Sequence, residues 1–222
     1  MPIALTLHMP LAKILARETP RVEHGAEPLA RDREAASDEA LLDWTARGDR
    51  LAFDALAGRH LHRLHRLALR ILGNAAEAED VTQDAMLRAW EAAADFDASR
   101  GAAATWMQRI LVNKAIDRLR RMGRRPTVPM DWADAVADGA PGAEEEIQRA
   151  QEAALLRQAM AHLPARQRAA IALAYEQGLS GAEAAEVLEV SARGLEGLLH
   201  RARQALAGRL AGLLGREGGK HE

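Results

Sequence analysis

From Ser37 onward, apolar side chains recur three and four residues apart, and no stretch alternates apolar with polar residues as a half-buried strand would. That period serves one face of an α-helix and cannot serve a strand. Its longest example is Leu51, Phe53, Leu56, Leu61, Leu64, Leu67, Ala68, Ile71 and Leu72, ending at Gly73-Asn74. Alanine, leucine, arginine and glutamate dominate, and aromatics make up only 3%. Intrinsic propensity therefore agrees with the period, and an all-α fold is expected. There is no cysteine, which excludes a disulfide framework, a thiolate-held zinc or iron–sulfur cluster, and a cysteine nucleophile. Arg, His or Asp interrupts every apolar stretch well short of the ~20 residues that span a bilayer, so membrane insertion is not expected. Near the amino terminus, His8, Pro10 and Lys13 break the apolar stretch Ile3 to Leu15, and no small-residue cleavage site follows. A secretory signal is therefore not expected, and the cytoplasm is the default location.

Breakers divide the chain into segments. Residues 1–36 carry Pro2, Pro10, Pro20 and Pro28 and read as a disordered extension. A first domain, 37–122, holds four helices. Ser37 or Asp38 caps the first, with Leu41, Leu42 and Trp44. Gly48-Asp49 restarts the second, and the third runs from about Ala76 to Ala93. After a loop from Asp95 to Ala103, the fourth ends near Met122. Residues 123–149, with Pro126, Pro129 and Pro141 and a turn from basic to acidic, read as a flexible acidic linker. A second domain, 150–214, begins with a helix through Leu155, Leu156 and Met160. It breaks at Leu163-Pro164 and continues as a helix to Gly178. Ser180 and Glu183 have capping-box spacing and open a short helix to Leu188. Glu189-Val190-Ser191 is a turn, and a last helix starts at Ala192, with Leu195, Leu198, Leu199, Ala202, Leu206 and Leu210 turned inward. Two helices joined by a tight turn, the second with a polar outer face, describe a helix-turn-helix. Residues 215–222 read as a disordered tail.

The net charge of −2 is an average that conceals a strong local imbalance. Between residues 96 and 125, Arg100, Arg109, Lys114, Arg118, Arg120, Arg121, Arg124 and Arg125 oppose only Asp97 and Asp117. On the fourth helix, Trp106, Arg109, Asn113 and Asp117 share one side. The arginines suit phosphates, Asn113 suits a base edge, and Trp106 offers a face for an unstacked base. A plainer reading stays open, in which Trp106 is core and the arginines are a solvated face. On the last helix, Arg193, His200, Arg201 and Arg203 suit phosphate or guanine, and Glu196 suits a cytosine amine; an ordinary charged hairpin is the plainer alternative. Of His60, His62 and His65, only the last two share a face, and no further ligand stands at useful spacing, so no metal is expected. No phosphate loop, serine elbow or zinc-protease signature is present, and neither an enzyme nor a cofactor is expected.

Read together, these motifs resemble the extracytoplasmic-function (ECF) group of bacterial sigma factors, the sigma-70 superfamily subunits that give RNA polymerase its promoter specificity. The carrying residues are Asp38-Glu-Ala-Leu-Leu through Gly48-Asp49 and Ala52-Phe53, then Ala78-Glu-Asp-Val-Thr-Gln-Asp84 with Leu87 and Trp90. Trp106, Ile110, Asn113, Asp117 and Arg118 follow. Leu163-Pro164 with Arg168, Gly178-Leu179-Ser180, Ala184-Ala185 and Leu199-His200-Arg201-Ala202-Arg203 complete the series. The resemblance covers about residues 38–122 and 150–210 and implies a non-enzymatic role. Asp80, Gln83, Asp84, Leu87 and Trp90 would bind the clamp helices of the largest subunit of core RNA polymerase. Arg100, Thr105, Trp106, Arg109, Asn113, Lys114, Asp117 and Arg118 would bind promoter DNA at the −10 element, catching a flipped base. Such a base is costly to unstack and must be repaid by stacking and hydrogen bonds.

In the second domain, Arg166, Arg168, Ser180, Ser191, Arg193, Gly194, Glu196, Gly197, His200, Arg201 and Arg203 would bind the −35 element. An anti-sigma factor would regulate transcription of a specific, stress-responsive regulon. Where the family usually carries a Thr-Val-Lys-Ser-Arg-like run, this chain has Gly194-Leu-Glu-Gly-Leu198, so two polar or basic DNA contacts are missing. The first 36 residues match nothing in the family's common pattern. Two rivals stand beside this reading: a stand-alone helix-turn-helix regulator, and a helical protein-interaction module with no role at DNA.

Overall fold

The computed structural model describes residues 32–123, 143–175 and 179–217. The expected extension up to residue 31, linker residues 124–142 with Arg124 and Arg125, the turn at Gly178 and the tail from 218 lie outside them. The described elements are α1 (Asp38–Ala46), α2 (Arg50–Leu72), α3 (Ala75–Glu91), α4 (Ala103–Met122), α5 (Ala143–Ala161), α6 (Ala165–Ala174), α7 (Gly181–Val187) and α8 (Ala192–Glu217). Short 3-10 turns at Ala93–Asp95 and Ala98–Arg100 join α3 to α4. The fold is all-α, as expected.

Local chemistry accounts for the helix ends. Ser37, Asp49 and Asn74 cap α1, α2 and α3 by accepting from the amides of Ala40, Ala52 and Glu77. α2 stops at Gly73, whose φ of 70° lies in the left-handed region that costs glycine nothing. Ser180 and Glu183 form the expected capping box at α7.

The first group of helices is assembled on α2. One face of it, Phe53, Leu56, Leu64, Leu67, Ala68 and Ile71, is buried against α1, α3 and α4. Leu51, read as part of this stripe, is instead 60% exposed, because it falls on the first turn, ahead of that face. Three features go beyond the segments read in the sequence, which left the packing of the two groups open. First, residues 32–36 are tied to the helices: Arg59 on α2 donates to the carbonyls of Arg33, Glu34 and Ala36 and to the Asp38 carboxylate, and Arg33 pairs with Asp49 at 2.9 Å. Arginine's forked donors can collect several carbonyls of one turn, a long-range tie that no spacing rule reveals. Second, α5 begins at Ala143, inside the stretch read as linker. Third, the two groups of helices pack on each other, α6 against α2 and α4, and α7 against α4. Ala169, Ala170, Leu173, Ala184, Ala185 and Leu188 share one continuous buried cluster with α2 and α4 residues. A smaller cluster of Met160, Leu163, Ile171 and Ala202 belongs to the second group alone.

Burial alone would raise the Asp38 carboxyl, but hydrogen bonds from Arg59 and His60, with their charges, outweigh it and hold the group below its ordinary 3.8. The pairing therefore stabilises the fold above about that pH and is lost as the pH falls through the depressed folded value. Arg59→Ala is expected to lower stability by about 1–2 kcal/mol at pH 7, and by less at pH 3, read as the urea midpoint at constant m.

Candidate nucleic-acid interface

The loop between α3 and α4 and the first turns of α4 enclose a cavity of about 30 Å³ lined by Asp95, Phe96, Asp97, Arg100, Gly101, Ala102, Trp106, Arg109 and Glu186. Its aromatic wall is Phe96 set edge-on to Trp106, with centroids 5.5 Å apart. Asp97 shapes the loop by accepting from the Ser99 hydroxyl at 2.7 Å and amide at 2.9 Å, and these bonds hold its carboxyl below the usual range. At Gly101 the backbone takes φ 145°, a conformation that side chains disfavour.

α4 has no cap of its own, since Ala102 offers no side-chain acceptor. The carboxylate of Glu39 on α1 takes that place, accepting from the Ala103 amide at 3.2 Å. A negative group at a helix start also suits the helix dipole. Sequence reading missed Glu39, because it acts across 64 residues; the missing polar cap before Ala103 was the available signal.

Trp106 and Arg109 are half-buried beside the cavity, and Asn113 and Asp117 continue the same side of α4 exposed. The plainer view of Trp106 as core is thus only half right, since one part packs on Phe96 and the rest borders the cavity. Three expected DNA contacts are engaged elsewhere. Thr105 is buried. Arg118 crosses to α3 and pairs with Glu77 at 3.0 Å and Asp80 at 3.3 Å, and so ties the two helices together. Asp117 pairs with Arg120 at 3.4 Å. Arg100 lines the cavity, and Lys114 is half-buried.

On α3, Asp80 and Asp84 are exposed, while Gln83, Leu87 and Trp90 are half-buried along one side. Trp90 and Phe53 pack edge to face with ring centroids 5.2 Å apart, so Trp90 braces the core and borders this surface at once.

In the second group, Arg193, Glu196, His200, Arg201 and Arg203 are exposed on α8, as the outer face of a helix-turn-helix requires. Gly197 leaves room for Arg201, whose guanidinium would lie 3.3 Å from any Cβ there. Gly194 fits close over Ser191 and Val190. Ser180 and Ser191 spend their hydroxyls as caps, Ser191 accepting from the Gly194 amide at 3.1 Å. Arg166 donates to the Leu188 carbonyl at 2.8 Å, closing the end of α7. Arg168, expected at a phosphate, is instead buried between the groups and donates to the carbonyls of Ile71 and Ala161, near the ends of α2 and α5. Burial lowers its pKa, and helix carboxy termini are where a buried cation is least costly.

The histidines do other work. His60 contacts the Asp38 carboxylate at 2.6 Å, and burial lowers the pKa of His65 against the opposing charge of Glu79. Among the described residues no group of three His, Cys, Asp or Glu could hold a metal, and no helix is long and apolar enough to cross a membrane.

Two family models match the chain, Sigma-70 region 2 over residues 56–125 and Sigma-70 region 4 over residues 153–206. ECF RNA polymerase sigma factor SigM of Mycobacterium tuberculosis is 39% identical, over 82% of this chain and 88% of its own length. RNA polymerase sigma factor CnrH of Cupriavidus metallidurans is 33% identical, over 77% of this chain and 93% of its own. A structure of CnrH in complex with the cytosolic domain of CnrY matches with a TM-score of 0.56 and 29% identity, covering 80% of this chain and 99% of that one. Bartonella quintana RpoE, in complex with the anti-sigma factor NepR, has the same fold at 22% identity and a TM-score of 0.53, covering 72% of this chain and 96% of that one.

Because Glu39 supplies the missing cap of α4, Glu39→Ala is expected to cost about 1 kcal/mol, as an N-cap deletion does, in chemical denaturation monitored by circular dichroism.

Proposed function

The chain belongs to the ECF sigma factors of the sigma-70 family, and from that membership we propose a division of labour among its surfaces. The exposed side of α3, with Asp80, Gln83, Asp84, Leu87 and Trp90, binds the clamp helices of the polymerase largest subunit. The cavity and the α4 side bearing Trp106, Arg109 and Asn113 take the −10 element as it is unwound, with Arg100 and Lys114 neutralising phosphate. α8 lies in the major groove of the −35 element, where Arg193, Arg201 and Arg203 meet phosphate or guanine and Glu196 accepts from a cytosine amine. Asp117, Arg118, Arg166, Arg168, Ser180 and Ser191 act by shaping these surfaces. The observation that carries this reading is the aromatic-walled cavity at the head of a basic helix, continuous with Asn113 on the same side. An unstacked base there gains stacking from the ring and hydrogen bonds from Arg109 or Asn113, which offsets the cost of opening the duplex.

The chain performs no chemistry of its own in this role, and it works in the cytoplasm with RNA polymerase. An anti-sigma factor holds it inactive until a stress signal arrives. The complex of CnrH with the cytosolic domain of CnrY supports a protein partner of this kind.

Run-off transcription with core polymerase on promoter fragments from the source genome tests the assignment. The wild type should direct discrete starts. Trp106→Ala should weaken promoter opening by about 1–3 kcal/mol for the lost stacking partner, and Asn113→Ala should weaken it through the lost hydrogen bond, both with polymerase binding intact. Asp84→Ala should weaken polymerase binding itself. Absence of both polymerase binding and discrete starts would replace this reading with a stand-alone DNA-binding or interaction protein.

A further inference from the structure

On α3, the exposed carboxylates of Asp80 and Asp84 stand one helical turn apart. Like charges at that spacing repel, and Asp80 finds a cation on another helix. The Arg118 Nη2, on α4, donates to the Asp80 Oδ2 at 3.3 Å, while the Nε of the same guanidinium lies 3.0 Å from the Glu77 Oε2. That Glu77 oxygen is buried and takes no hydrogen bond, so the charge of Arg118 is what compensates it. Side-chain exposure rises from 26% at Glu77 to 32% at Arg118 and 64% at Asp80. The guanidinium is thus anchored at its inner end and reaches outward to Asp80.

A guanidinium is flat, and its donors leave it in fixed directions. With Nε set by Glu77, Nη2 meets Asp80 from a fixed side and confines a carboxylate that would otherwise sample several rotamers. The charges matter as much as the geometry. An arginine alone beside Asp80 would cancel its charge and weaken its pull on a basic partner. Here Glu77 offsets Arg118, so Asp80 is held without being neutralised. Asn113 and Asp117 are exposed along the outer side of α4, whereas Arg118 is half-buried and turned to α3. Its sequence position suggests the −10 element, and its contacts point to the other surface.

We propose that Arg118, although carried by α4, is a positioning residue for polymerase binding: anchored by Glu77, it fixes the Asp80 carboxylate in the orientation that the clamp helices recognise. The inference rests on the α3 side being the polymerase-binding surface. Ordering a flexible side chain on binding lowers affinity, and Arg118 orders this one in the free chain.

A double-mutant cycle on the affinity of the full chain for purified core polymerase, read by fluorescence anisotropy, tests this role. Arg118→Ala should weaken binding about threefold to tenfold, the size expected for one side chain no longer ordered in advance. In an Asp80→Ala background the same substitution should change nothing further, because Arg118 acts through Asp80. Arg118→Ala also strips the buried Glu77 oxygen of its counter-charge and can disturb the fold, so Arg118→Lys serves as a second variant. Lysine supplies a point charge for Glu77 without the fork that also holds Asp80. It should keep the wild-type circular dichroism and urea midpoint and still weaken binding. Wild-type polymerase binding by Arg118→Lys, or equal losses from Arg118→Ala with and without Asp80, overturns the positioning role. Unchanged polymerase affinity with weaker promoter opening at saturating polymerase overturns it too, and returns Arg118 to DNA. If Asp80→Ala and Asp84→Ala both leave polymerase binding unchanged, the assignment of the α3 side falls, and the proposal with it.

Discussion

α2 is the member against which the rest of the first group is laid. α1, α3 and α4 all pack on it, and α6 of the second group meets it as well. Its buried residues include Phe53, Leu56, Leu64, Leu67, Ala68 and Ile71, so turn after turn points the same side into the core. Burying such a stripe at about 25 cal/mol per Å² outweighs any single polar contact in the molecule. The position of α4, and hence of Trp106, follows from it. Leu111, Val112, Ala115 and Ile116 are buried on the inner side, which leaves Arg109, Asn113 and Asp117 along the outer one.

Arginine does two different jobs on this framework. Arg59, Arg118, Arg166 and Arg168 are spent inside the protein, on turn carbonyls, on carboxylates of a neighbouring helix or on the carbonyl ends of helices. Arg193, Arg201 and Arg203 stand on an exposed helix face. A guanidinium serves either purpose with the same donors, and the outcome depends on which acceptor the fold brings within 3 Å. Arg109 belongs to both sets, half-buried beside the cavity and close to Glu189.

The helices, several caps and the capping box at Ser180 were legible in the sequence, because each depends on residues within four positions of one another. The cavity was legible in part. Trp106, Arg109 and Asn113 share a side by helical spacing alone, whereas Phe96 and Glu39 contribute through contacts that span loops or helices. Thr105 and Arg168, expected at DNA, are buried here for one reason. A hydroxyl or a guanidinium on a helix looks available until the neighbouring helix is known, and here that neighbour buries it.

By itself the sequence determined that the chain is helical, where most helices start and stop, that a helix-turn-helix follows a basic, aromatic helix, and that the family is that of the ECF sigma factors. Those properties are set by short-range spacing and by residue type in order along the chain. The tertiary structure alone decided that residues 32–36 are strapped to α2, that Glu39 caps α4, and that α7 lies against the cavity with Glu186 in its wall. Each of these joins groups far apart in sequence. Their meeting depends on how the buried faces of α2, α4, α6 and α7 settle against one another, and no local pattern encodes that.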